Sequence, residues 1–172
     1  MMIKRQFTVT CYLIQDAKVL LLHHRKYRKW VPPGGHLEEN ETPSEGVMRE
    51  VLEETGLLIE LEKGEELWIE EKKCMSLPRP YLCLLEKIPV YGKEPEHEHI
   101  DLIYVGHPIG GQMVESNESE QMRWFTLEEV LSLKPEEEIF LDVQKTVEHL
   151  LHRKENRLRV ELTQAASRAT GA

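Results

Sequence analysis

The sequence has few of the features that mark a membrane protein or a disulfide-bonded secreted protein. It contains no run of 18 apolar residues, so we expect no membrane-spanning helix and no membrane partner. Its three cysteines show no metal-ligand spacing, and an odd number without a targeting segment favours a reducing, cytoplasmic location. Polar residues interrupt the N-terminal apolar stretch, which predicts a strand rather than a signal peptide.

An excess of basic residues is also lacking. The chain has 22 Lys and Arg against 31 Asp and Glu, a net charge of −9, which argues against nucleic acid as a partner. A phosphorylated small molecule remains compatible with this charge, because metal cations can lie between acidic side chains and a polyphosphate.

The length of 172 residues, with 40% hydrophobic and 31% charged residues, fits one globular domain. We expect a mixed α/β domain over residues 1–160 and a flexible tail over 161–172. The pattern predicts a hairpin (6–15 and 18–24), five further strands (57–61, 66–73, 79–88, 99–105, 122–125), loops at 89–98 and 106–120, and helices over 43–55 and 136–154.

The helix over 43–55 has clear boundaries. Thr42 fits an N-cap, Pro43 the first helical position, Glu45 a capping box and Gly56 a C-terminal glycine. Its apolar residues, which we expect on the buried side, are Val47, Met48, Val51 and Leu52. A second capping box, Thr126 with Glu129, lets Phe125 pack against Val130.

Three carboxylates share one face of this helix. Glu50, Glu53 and Glu54 stand at i, i+3 and i+4, and Arg49 can pair with Glu53. Seven acids face one base between positions 38 and 54. Oxygen ligands gathered in this way suit Mg²⁺, Mn²⁺ or Ca²⁺, although three glutamates alone equally fit a solvated acidic face.

The residues around these glutamates carry more information. From Gly35 to Leu57 the sequence matches G-x5-E-x7-R-E-U-x-E-E-x-G-U, where U is bulky and aliphatic, at every fixed position. This resembles the Nudix hydrolases, and the resemblance extends over roughly 6–150 through the Trp-Val-Pro-Pro-Gly-Gly stretch and a late Arg-Trp-Phe-Thr. It implies an α/β/α sandwich with a mixed sheet and Mg²⁺-dependent cleavage of a pyrophosphate bond in a nucleoside diphosphate linked to another group, with Mn²⁺ as an alternative metal.

The resemblance also implies roles for particular residues. Glu50, Glu53, Glu54 and the carbonyl of Gly35 would bind metal. Glu53 would serve as the base, and Arg49 would orient it. Glu41 would hold the loop before the helix together. Some Nudix members carry the base or an extra ligand on a separate loop. Here Glu115, Glu118 and Glu120 lie in such a loop, and Glu120 or Glu118 is favoured, with a flexible acidic loop as an equal alternative.

Three residues before the signature are candidates for substrate binding. Arg28 and Lys29 belong to a basic stretch that suits phosphates, and Trp30 can stack on a base. The alternatives are a solvated turn and core packing. On a strand His97, His99 and Asp101 would share one face, as in a zinc site, but we favour a structural or substrate-side role since no fourth ligand is in view.

The signature leaves several questions open. No residue downstream selects one nucleotide derivative, so nucleoside triphosphates and sugar-linked nucleoside diphosphates are both candidates. A homodimer is also left open. Two rival functions use the same fold: a sensor that binds a nucleotide without cleaving it, and an isopentenyl-diphosphate isomerase. The chain retains every carboxylate of the Nudix signature, the segment 35–57 that we call the box. Its cysteines lie in no isomerase context, so hydrolysis is preferred.

Overall fold

A computed structural model describes residues 3–64, 67–114 and 119–170, with side chains as far as Lys154 and at Asn156. Strands dominate its first two thirds and a long helix ends it. The elements in chain order are β1 (Arg5–Gln15), β2 (Lys18–His24), β3 (Lys29–Val31), β4 (Gly34–His36), α1 (Pro43–Thr55), β5 (Leu57–Leu61), β6 (Glu70–Glu71), β7 (Cys74–Met75), β8 (Leu82–Ile88), β9 (His97–Gly111), β10 (Ser119–Thr126), α2 (Leu127–Ser132) and α3 (Leu141–Thr170).

One mixed sheet organises these elements. Its order is β10-β2-β1-β9-β5, with β3 added to β2, β4 to β1 and β8 to β9. Strands β1 and β9 run parallel, whereas the other pairs in this sheet are antiparallel. Strands β1 and β2 pair only next to their turn, and β3 and β4 then occupy the space that opens between them. The corner before α1 is therefore built into the sheet.

Two apolar cores lie on opposite faces of the sheet. One contains Val9, Leu13 and Leu20 from the strands with Val47 and Val51 from α1. The other joins the opposite strand faces to α2 and α3 through residues that include Tyr12, Ile103, Phe125, Val130, Val143 and Val147. Alternating side chains of one sheet thus bury both faces, and the predicted α/β/α sandwich is confirmed.

The first hairpin and α1 follow the sequence closely. Asp16 and Ala17 have φ of 49° and 57°, as a two-residue turn between twisted strands requires. Helix α1 has the predicted bounds. Thr42 and Glu45 form the reciprocal capping box, and Gly56 ends the helix in the left-handed conformation. The second capping box, at Thr126 and Glu129, is confirmed at the start of α2.

The predicted burial of α1 needs correction. Val47 and Val51 are fully buried, but Met48 and Leu52 are 39% and 45% exposed. The buried stripe is completed instead by small residues and by Glu54, whose carboxylate accepts a backbone hydrogen bond. A polar side chain can take a core-facing position here because its oxygen has a donor.

Several predicted strands and loops are also wrong. Residue 66 of the predicted strand 66–73 lies outside the described residues. Residues 67–73 do not form one strand, since only Glu70–Glu71 among them is in a strand, paired with Cys74–Met75. Strand β9 runs into both predicted loops because it has partners along its whole length: β8 pairs with 97–103 and β5 with 106–111. Gly and Pro made 106–111 resemble a loop, but backbone pairing to β5 overrides that composition.

The last helix begins later and ends later than 136–154. Glu136 has a φ of 64°, which no helix allows, and residues 134–139 form a turn that places the fully buried Ile139 against the core. The backbone is then helical from Leu141 to Thr170. The division into a domain over 1–160 and a flexible tail over 161–172 stays a prediction. Among the helices described, none is long and apolar enough to cross a membrane.

Candidate active site

The glycine pair of β4 packs directly beneath α1. The backbone N–H of Gly34 donates to Glu54 Oε2 at 2.8 Å. A Cβ atom added to Gly35 would lie 2.5–2.7 Å from the carboxylate atoms of Glu50, closer than side chains tolerate. Glycine is therefore required at Gly35 because the Glu50 carboxylate rests against the backbone.

Arg49 holds the acidic residues of this region in place. Its guanidinium donates two hydrogen bonds to the carboxylate of Glu41, at 2.7 and 3.1 Å. It also donates to Glu50 at 2.9 Å, to Glu53 at 3.2 Å and to the carbonyl oxygen of His36 at 3.1 Å. The predicted pair of Arg49 with Glu53 is present. The sequence predicted only this one of the four partners of Arg49. The planar fork of arginine suits such a hub, which lysine could not reproduce.

Glu41 and Arg49 stabilise each other in their charged forms. The hydrogen bonds from Arg49 hold the pKa of Glu41 below its usual range, and Glu41 in turn raises the pKa of Arg49. Glu41 also accepts the backbone N–H of Glu38 at 2.7 Å, so it ties the loop before α1 to the helix. Gly46 makes room for this contact, since an added Cβ would lie 2.8 Å from Glu41 Oε1. Sequence reasoning missed Gly46, although a glycine inside a helix is itself a signal of close packing.

The three box glutamates are graded from interior to solvent. Glu54 is 6% exposed, the Glu50 side chain 15% and the Glu53 side chain 60%. Among the residues described, no three His, Cys, Asp or Glu side chains already converge on one point that could hold a metal ion. The donor set nonetheless fits a hard divalent cation, because it offers clustered carboxylates beside a backbone that only glycine allows to approach so closely.

A second group of predicted site residues lies where β10 meets β2. Glu120 accepts a hydrogen bond from Arg28 and contacts His23 Nδ1 at 3.2 Å. Arg28 is the residue of this pair that faces solvent, with a side chain 68% exposed. The structure therefore brings together Glu120, predicted as catalytic, and Arg28, predicted to bind substrate. Glu115 and Glu118 lie outside the described residues.

Trp30 and Lys29 are oriented towards aromatic neighbours. The Trp30 ring packs edge-on against Phe125, with ring centroids 4.7 Å apart, and joins the core beneath α3. The ammonium of Lys29 lies 5.0 Å from the ring centre of Phe140. Core packing thus accounts for part of the Trp30 surface.

A further polar group lies on the sheet face opposite α1, and sequence reasoning had singled out Asp101 of it but not its partners. Asp101 on β9 is 4% exposed and accepts hydrogen bonds from the hydroxyls of Thr8 and Thr10, at 3.0 and 3.1 Å. Burial raises the pKa of Asp101 and raises that of Glu86 on β8 to about 7. The contact of Asp101 with Thr8 and Thr10 arises from the parallel register of β1 and β9, in which Thr8 faces Asp101. No sequence motif predicts this contact.

Comparison with known proteins agrees with this geometry. The profile of the NUDIX domain matches residues 4–144, which include the box helix and the sheet around it. The chain belongs to the Nudix family. Proteins of this family generally use divalent metal cations and act on small-molecule nucleotides.

Individual relatives share about a third of their residues with this chain, or more over a shorter stretch. A MutT-like protein of Streptomyces ambofaciens is 31% identical over 116 residues, which cover 67% of this chain and 60% of that protein. An uncharacterised Nudix hydrolase of Bacillus subtilis, YvcI, is 44% identical over 54 residues, 31% of this chain and 34% of that one. The matches thus span less than two thirds of these relatives. A NUDIX-family hydrolase structure from Clostridium perfringens superposes with a TM-score of 0.70 at 29% identity, over 87% of this chain and 97% of that one.

Proposed function

We propose that this Nudix protein is a Mg²⁺-dependent hydrolase, with Mn²⁺ as an alternative metal, that cleaves a pyrophosphate bond in a nucleoside diphosphate linked to another group. The observation that carries the proposal is the arrangement of Glu50, Glu53 and Glu54 around Arg49 and Gly35, in which every box carboxylate is retained. A binding protein without catalysis has no need to keep three mutually repelling carboxylates on one helix face.

Metal binding falls to Glu50, Glu53 and Glu54, with the carbonyl of Gly35 as a further ligand. A divalent metal held there would supply positive charge against the substrate phosphates and would lower the pKa of a water molecule. The buried Glu54 is fixed by the Gly34 N–H, and Glu50 is fixed by Arg49. Two carboxylates are thus oriented before any cation arrives, which lowers the reorganisation that binding requires.

Glu53 is the residue we assign as the base. Its side chain is 60% exposed, so a water molecule can reach it, and its contact with Arg49 restricts its orientation. Arg49 acts as a positioning residue, because it donates all five of its hydrogen bonds to Glu41, Glu50, Glu53 and the His36 carbonyl. Glu120 is a second candidate for proton transfer, and its contacts with Arg28 and His23 would hold its carboxylate in one orientation.

The substrate is a small molecule, which we propose to contact through Arg28, Lys29 and Trp30. Arg28 exposes most of its side chain and can donate to a phosphate. Trp30 has a partly buried ring whose remaining face could meet a base. We further propose a cytoplasmic location without nucleic-acid partners, consistent with a net charge of −9.

Hydrolysis in ¹⁸O-labelled water tests the proposal. The purified chain is incubated with Mg²⁺ and a panel of nucleoside triphosphates and sugar-linked nucleoside diphosphates, and the products are separated by mass. We expect a phosphate-containing product that carries the label, and no phosphorylated protein, because the box has no Ser, Cys or His placed beside a base.

A binding module would behave differently in the same assay. It would retain each compound intact in both Mg²⁺ and Mn²⁺, while equilibrium dialysis showed binding. That result would replace the hydrolase with a nucleotide sensor. Glu53→Gln provides the matched control for product formation, since it keeps the shape of the side chain and removes the proposed base.

A further inference from the structure

Two buried histidines of β9 point their ring nitrogens at each other. His97 and His99 are 8% and 9% exposed, and their Nε2 atoms lie 3.2 Å apart. They stand at i and i+2 of a strand, so both project from the face opposite α1. The intervening Glu98 projects to the other face, where it pairs with Arg5 at 2.8 Å. The pair is thus separate from the carboxylates of α1.

The tautomer of His97 follows from its other contact. His97 Nδ1 lies 2.9 Å from the carbonyl oxygen of Pro95, which can only accept, so Nδ1 carries the proton. The Nε2 of neutral His97 is then a lone pair. His99 Nδ1 lies 3.8 Å from a carboxylate oxygen of Glu86, which is too far for a hydrogen bond. In the neutral pair, His99 therefore carries its proton on Nε2 and donates it to the Nε2 of His97. A cation that takes the place of this proton would meet both Nε2 lone pairs.

One outer contact of this pair is typical of protein metal sites. A metal-bound histidine usually donates its second N–H to a backbone carbonyl or a carboxylate, as His97 donates to the carbonyl of Pro95. Tetrahedral Zn²⁺ with Zn–N bonds of about 2.0–2.1 Å places two ligand nitrogens about 3.3–3.4 Å apart. The observed 3.2 Å lies close to that separation.

The surroundings place a third imidazole beside the pair and favour neutral His99. The His36 ring of β4 stands edge-on to His99 with centroids 4.9 Å apart. In the described residues these side chains do not yet converge on one point, so a metal ion would have to draw His36 in. Burial and the neighbouring His36 and His97 lower the pKa of His99 to about 4. Neutral imidazole is the form that binds metal. Lys26, paired with Glu94 at 4.0 Å, acts on both His36 and His99, and Lys4 also acts on His36.

We propose that His97 and His99 form a binding site for a divalent transition-metal ion of the zinc type, which His36 completes together with solvent. Imidazole nitrogen suits Zn²⁺, whereas the oxygen-rich α1 suits Mg²⁺. The chain would then hold two chemically distinct metal sites on opposite faces of one sheet.

Zinc titration of the full chain in excess Mg²⁺ tests this site. Mg²⁺ fills the carboxylates and competes poorly for imidazole, and a chromophoric chelator reports the free Zn²⁺. We expect one bound Zn²⁺ per chain, at least about tenfold weaker binding in His97→Gln and in His99→Gln, and weaker binding in His36→Gln. His107→Gln is the matched control, because His107 lies on the same strand with a 46% exposed side chain.

Two further measurements make the outcome decisive. Thermal melting in the absence of Zn²⁺ shows whether each variant folds, and if His99→Gln does not, the variant at position 97 decides alone. X-ray absorption of the zinc-loaded protein should show nitrogen ligands at about 2.0 Å. Unchanged affinity in folded His97→Gln, no binding by the wild type, or sulfur ligands at about 2.3 Å from the exposed Cys74 or Cys83 would each overturn the proposal.

Discussion

Replacing Arg49 by alanine removes five hydrogen bonds, all donated to Glu41, Glu50, Glu53 and the His36 carbonyl. Hydrogen bonds to charged groups contribute about 1.5–3 kcal/mol each, but the bond to Glu53 counts little because that side chain is 60% exposed. Glu41 and Glu50, each 15% exposed, would be left partly desolvated without their cation. We expect the free energy of unfolding to fall by about 2–4 kcal/mol.

The pH dependence identifies the cause of that loss. The pKa of Glu41 is lowered from 4.5 in the folded chain, so its pairing with Arg49 stabilises the fold fully above that pH and ceases to do so as pH falls through the lowered value. Urea unfolding of wild type and Arg49→Ala should therefore differ most near neutral pH and converge in acid. Arg49→Lys keeps the charge but not the fork, and should fall between them. A constant difference from pH 7 to pH 3 would refute this account.

Three further predictions concern the same helix. Excess chelator should abolish hydrolysis, and full turnover in chelator would contradict the metal requirement, because the carboxylates cannot hold a polyanion unaided. Glu53→Gln should melt like the wild type yet lose about 10²-fold or more in kcat, and a near-normal rate would remove Glu53 from the mechanism. Gly46→Ala should lower the urea midpoint by an amount equivalent to about 1 kcal/mol, since its Cβ would lie 2.6 Å from Leu37 Cδ2, although better helix propensity offsets part of the cost; unchanged stability would show that Leu37 moves aside.

Local signals in the sequence were enough to predict α1 and its surroundings. Thr42, Pro43, Glu45 and Gly56 determine where the helix begins and ends, and all four act through contacts within a few residues. The spacing of Glu50, Glu53 and Glu54 likewise follows from helix geometry alone. The grading of these three carboxylates from buried to exposed could not be read in this way, since it depends on how α1 lies on β4.

Features that depend on distant strands were out of reach. Asp101 meets Thr8 and Thr10 across 93 and 91 residues of sequence, and only the register of β1 with β9 brings them together. The extension of β9 through Pro108 and Gly110 depends in the same way on its pairing with β5. Composition indicates whether an isolated segment favours a strand or a loop, and pairing with a neighbouring strand can outweigh that preference.

The acidity of α1 becomes understandable from how its charges are distributed. Three carboxylates on one helix face would repel one another, but each meets a different environment: Glu54 a backbone N–H, Glu50 the guanidinium of Arg49, and Glu53 largely solvent. Arg49 carries one positive charge and satisfies Glu41 with two of its hydrogen bonds, so the box retains a net negative charge. That residual charge favours divalent cations and repels a polyphosphate that approaches without them. We therefore expect the same network that stabilises the free helix to make binding of the proposed substrate depend on metal.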